Sequence, residues 1–104
     1  MATLAISIDN SPDPKPAKWP EGKRFAFTII DDTDWCALDT TRPVYDLLAE
    51  CGLRTTKTVW IRGGKPTATN AGATCEDPFY RHWLRQLQQQ GFEIAFHNAA
   101  PSSS

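Results

Sequence analysis

At 104 residues the chain has room for one small domain, and its 40% apolar and 22% charged content are those of a globular protein. A formal net charge of −1 argues against a nucleic-acid or anionic-membrane partner. No apolar run approaches the roughly 18 residues of a membrane-spanning helix, and Met1 to Asp9 lacks the regions of a signal peptide, so a cytoplasmic location is expected.

In chain order, residues 10–24 hold Pro12, Pro14, Pro16 and Pro20 among Asp, Lys and Gly. Proline fixes φ and removes a backbone donor, so residues 1–24 are expected as a stiff, extended lead-in pinned to the domain by Trp19. The domain then occupies residues 25–104. Its first strand is expected at 25–31, where the run Phe25-Ala26-Phe27-Thr28-Ile29-Ile30 implies burial on both faces, as in parallel sheets.

Asp39 or Thr40 is placed to cap a helix over 40–51, with Pro43 in its first turn. Val44, Leu47, Leu48 and Cys51 recur at helical spacing and define its expected apolar face, with Gly52 as the stop. The β-branched stretch 55–61 is the second strand. A long polar connection, 62–78, follows. Asp77 can cap a second helix over 78–90, with Pro78 at its first position, an apolar stripe of Phe79, Trp83, Leu84 and Leu87, and Gly91 as its stop. The third strand is expected at 92–97.

The order β-α-β-α-β implies parallel strands joined by right-handed crossovers. Every strand then ends on one edge, where α/β folds place their chemistry. Asp31, Asp32, Trp60 and His97 share that edge by topology. Asp34 follows after one residue, so three carboxylates crowd one turn, an arrangement that a cation relieves. Neighbouring strand residues point to opposite faces, so Asp31 and Asp32 converge only if the strand twists or ends there. His82, between Arg81 and Arg85 on the second helix, is expected at the surface. Cys36, Cys51 and Cys75 are odd in number and form no C-x-x-C pair, so a zinc knuckle is not expected.

The segments Thr28-Ile29-Ile30-Asp31-Asp32 and Gly91-Phe92-Glu93-Ile94-Ala95-Phe96-His97 resemble the Asp-Asp motif and the histidine segment of the polysaccharide deacetylase (NodB-homology) family. The resemblance covers about residues 18–104. It implies a distorted (β/α) barrel of parallel strands, of which this chain is the opening, truncated part. It also implies a hydrolase that removes N- or O-acetyl groups from a carbohydrate with a divalent metal, often zinc. By the same resemblance Asp31 is the catalytic base, Asp32 a metal ligand and His97 the first histidine ligand. The family's second histidine falls four residues later, where this chain has Pro101. Trp35 or Trp60 could stack on a sugar ring.

Two other classes stay open. Asp32-Thr33-Asp34 also resembles the D-x-D of haloacid-dehalogenase-like phosphatases, with Asp32 as nucleophile and Asp34 as acid/base. The third class is a non-catalytic carbohydrate-binding domain lacking a full metal site, which Pro101 supports.

Overall fold

A computed structural model describes residue 15 and residues 18–102. Most of the expected lead-in, including the start from Met1 to Asp9, lies outside the described residues. Within the remainder, Pro20–Gly22 forms a single 3-10 turn, and Trp19 is exposed instead of pinning the segment to the domain.

Five elements follow: β1 (Ile30–Asp31), α1 (Leu38–Glu50), β2 (Thr56–Trp60), α2 (Pro78–Gln89) and β3 (Glu93–Asn98). The three strands form one parallel sheet in the order β1-β2-β3. The class is α/β, and among the described residues no helix is long and apolar enough to cross a membrane.

β1 is much shorter than the expected strand at 25–31. Register explains the difference. Ile30 pairs with Thr56, the first residue of β2. The apolar run before Ile30 therefore extends past the start of its partner, beyond one bond from Thr56 N–H to the Ile29 carbonyl (3.0 Å). Phe25, Phe27 and Ile29 are exposed, not buried on both faces.

Both helices have identifiable ends. Asp77 caps α2 by accepting from the Phe79 and Tyr80 N–H groups, with Pro78 at the first position. α1 starts earlier than expected, with Ala37 at the cap position and no side-chain cap. Pro43 accordingly falls beyond its first turn. Gly52 and Gly91 close the two helices at positive φ.

The core lies between the helices and one sheet face. Tyr45, Val59, Tyr80, Trp83, Leu84, Leu87 and Phe92 are buried together, and the Tyr45 ring meets Trp83 edge-on at 5.5 Å and Phe92 at 5.1 Å. Burying a side chain of this size is worth roughly 2–3 kcal/mol. In α1 the buried face is Tyr45 with Leu38, Leu48 and Ala49 packed beside it. Val44, Leu47 and Cys51 are exposed, as is Phe79 of α2.

β2 is the middle strand and is buried on both faces. Alternation sends Lys57 and Val59 toward the helices, and Thr56, Thr58 and Trp60 to the opposite face. The β2–β3 register slips at its end: Val59 pairs with Phe96, but Trp60 pairs with Asn98. His97 is the extra residue of that β-bulge. Bulges re-aim side chains and recur beside functional sites.

Candidate metal centre

The end of β1 divides its two acids. Asp31 faces the helices, where its Oδ2 lies 3.2 Å from Lys57 Nζ and accepts from the Tyr45 hydroxyl at 2.8 Å. Lys57 is 0% exposed and also donates to the Thr58 carbonyl at 3.1 Å. Asp31 thus neutralises a cation in the middle of the sheet. Burial, reinforced by Asp31, pushes the Tyr45 hydroxyl pKa far above its ordinary value, so that hydroxyl stays protonated and keeps donating.

Asp32 faces the other way, toward Asp34 and His97. Asp32 Oδ1 lies 3.5 Å from His97 Nε2, and Asp34 Oδ1 lies 3.8 Å from the same nitrogen. One ligand atom from each residue lies within 4.8 Å of the other two. The turn is held locally, because Asp34 N–H donates to Asp32 Oδ1 at 3.2 Å. The long loop supports it from outside: Asn70 Nδ2 donates to Asp34 Oδ1 at 3.4 Å. That loop returns to the turn by close backbone contact. Ala73 N–H donates to the Cys36 carbonyl at 2.7 Å, and a Cβ on Gly72 would lie 2.7 Å from Cys36 N, so only glycine fits there.

His97 is oriented by two residues of β2. Thr58 donates its single hydroxyl proton to the Asp31 carbonyl at 2.8 Å. Its oxygen, 3.2 Å from His97 Nδ1, must therefore accept. Nδ1 carries a hydrogen, and Nε2 is the nitrogen turned to the two carboxylates. The Trp60 ring packs edge-on against the imidazole at 4.7 Å and restricts its rotation.

The donor set fits a divalent cation. A direct charge-assisted hydrogen bond from Nε2 to a carboxylate would span about 2.7–2.9 Å. The observed gaps are wider. They approach the roughly 3.4 Å edge of a tetrahedron built from ~2.0–2.1 Å metal–ligand bonds. Imidazole with two carboxylates suits zinc and its first-row neighbours. A ligating histidine whose other nitrogen donates to a fixed acceptor is the usual supporting arrangement, and here Thr58 is that acceptor.

The structure thus brings Asp32 and His97 together, adds Asp34, and leaves Asp31 outside the cluster. Pro101 is also outside; it is buried against Gly64. The two tryptophans part company. Trp35 is 71% exposed, in left-handed backbone (φ 57°), with its ring N–H donating to the Thr69 carbonyl at 2.6 Å. Trp60 is 2% exposed. This corrects its expected role as a sugar platform: its ring is walled in and can only position His97. Thr58 and Asn70 were not singled out by sequence. The alternation of β2, which places Thr58 on the His97 side, was the available signal for the first; a lone loop Asn gives none.

Comparisons with protein-family models, curated proteins and solved structures return no match. The class that the fold defines is a small α/β protein with a parallel sheet, and its site is an acid–histidine cluster able to hold a cation.

Proposed function

We propose that this chain is a metal-dependent hydrolase of the polysaccharide-deacetylase kind, releasing acetyl groups from a carbohydrate. Asp32, Asp34 and His97 would hold one divalent cation of the zinc type. The observation that carries the reading is the direction of His97: Thr58 occupies Nδ1, and Nε2 meets two carboxylates. The sequential parallel order β1-β2-β3 with intervening helices is the unit that a (β/α) barrel repeats, which supports the same reading. When bound, such a cation activates water and polarises an acyl carbonyl.

The chain's own residues divide the remaining work. Asp34 would serve as the third protein ligand where the family uses a second histidine. Trp35 offers an exposed indole face, its ring nitrogen tied down, on which a sugar ring can stack. Asp31, which the family resemblance makes the base, is held by Lys57 and Tyr45 on the helix side. From there it is a positioning residue: its carbonyl fixes Thr58, and Thr58 fixes His97.

Zinc titration against a competing chelator, with acetate release from an acetylated chito-oligosaccharide as second readout, tests the proposal. Asp32→Ala, Asp34→Ala and His97→Ala should each weaken zinc binding by more than about tenfold and abolish acetate release, since a site of three ligands tolerates no loss. Zinc bound with no acetate released would favour the non-catalytic carbohydrate-binding reading. Unchanged zinc affinity in all three variants would refute the metal centre.

A further inference from the structure

The residues after β2 and those from the end of β3 onward line an open cavity of about 640 Å³. Arg62, Gly64, Lys65 and Thr67 line one wall, and Asn98 and Pro101 line the other. Asn98 directly follows His97, so the cavity adjoins the candidate metal centre at the same sheet edge. Its charge is unusual for a chain of net charge −1. Two cations line it and no Asp or Glu does. Among the described residues neither Arg62 nor Lys65 takes part in an ion pair. The carboxylate of Glu76 is engaged with the Gly63 N–H at 2.9 Å.

The walls are joined by backbone. Arg62 N–H donates to the Ala99 carbonyl at 2.9 Å. Gly64 lies so close to Pro101 that a Cβ there would collide with the Pro101 carbonyl oxygen. Pro101, in the place where the family reading wants a ligand, is instead a buried wall residue that seats the Arg62–Lys65 loop against β3. Asn98 Oδ1 accepts from Ala99 N–H at 2.8 Å, which leaves its amide N–H groups to donate.

We propose that this cavity binds an anionic substituent of the sugar substrate, a carboxylate or a phosphate, with Arg62 and Lys65 as its charge partners and Asn98 as a neutral donor. Naming a sugar rests on the hydrolase reading above; the anion preference stands on the cavity alone. Guanidinium and ammonium groups favour oxyanions through charge-assisted bonds, and an arginine can engage two oxygens at once. A charged hydrogen bond of this kind is worth about tenfold in affinity or more.

The test uses the metal-free 104-residue chain, so that no anion can bind through a cation. Glucuronate, glucose 6-phosphate and glucose are titrated in turn while the backbone amides of Gly63 and Gly64 are followed by NMR. Either anionic sugar should shift these amides saturably, and the stronger of the two identifies the substituent. Glucose should not. Arg62→Gln with Lys65→Gln, both exposed loop positions, should weaken anion binding at least about tenfold and leave zinc affinity unchanged. Asp32→Ala with Asp34→Ala should lose zinc and keep the anion, which separates failure of the metal reading from failure of this one. Equal response to glucose, no response to either anion, or undiminished binding in the Gln variant would overturn the proposal.

Discussion

A single hydroxyl proton orders the site at the scale of residues. Thr58 donates it to the Asp31 carbonyl and so must accept from His97 Nδ1. Thr58→Val keeps the β-branched shape and removes the acceptor. It should lower zinc affinity by about 10–100-fold, the usual cost of losing a supporting partner, with Thr58→Ser largely restoring it; a chelator-competition titration checks this. Asp31→Asn leaves the Lys57 charge buried without its counterion. Removing one partner of a buried pair costs about 3–5 kcal/mol. Here the lower end applies, because Asp31 is 33% exposed. Denaturant unfolding should show this loss, and adding Lys57→Met should recover most of it with zinc binding intact. If the double variant is stable and zinc-loaded yet releases no acetate, Asp31 is the base after all. Asp32 and His97 were legible in the sequence because acids and a histidine at strand ends share an edge by topology. Asp34 was visible as one of three crowded carboxylates and as the second acid of a D-x-D, but not as a ligand beside His97, since spacing does not fix how a turn folds. The bulge at His97 left no trace in the pattern, because it arises from the pairing of two distant strands.

Among the elements, the alternation of strand and helix was legible throughout, and boundaries failed where partners decide them. The apolar run before Ile30 has strand composition, but among the described residues it has no partner strand beyond the single Thr56 bond to Ile29. α1 shows a related ambiguity. Its sequence offers two overlapping stripes, and the one with Val44, Leu47 and Cys51 loses to the one with Tyr45. An aromatic ring buries more area, and the Tyr45 hydroxyl finds an acceptor in Asp31. Cysteine reactivity reads out this choice directly. Cys51 is exposed and Cys36 is buried beside the Tyr80 and Thr41 hydroxyls. A thiol reagent on the native chain, followed by peptide mapping, should modify Cys51 first and Cys36 last, since the reagent must reach the sulfur. Faster labelling of Cys36 would mean that α1 packs by its other face.

Over the whole molecule, the fold separates two tasks by the two faces of its sheet. On the helix side are the aromatic core and the Lys57–Asp31 pair, which hold the chain together. On the other side are Asp32, Asp34, Thr58, Trp60 and His97, the residues that can hold a cation. The adjoining cavity gathers Arg62 and Lys65. Composition alone gave only the net charge; the separation of acids from cations along one edge depends on loops whose course no periodicity encodes. On the proposed reading a cation binds through His97 Nε2 while Nδ1 stays with Thr58. The direct measurement is the ¹⁵N shift of both imidazole nitrogens, recorded with and without zinc, with the exposed His82 as internal reference. The expected result is a protonated Nδ1 in both states and a zinc-dependent shift at Nε2 of His97 alone. A His97 spectrum that zinc leaves unchanged, or a zinc shift at Nδ1, would contradict it.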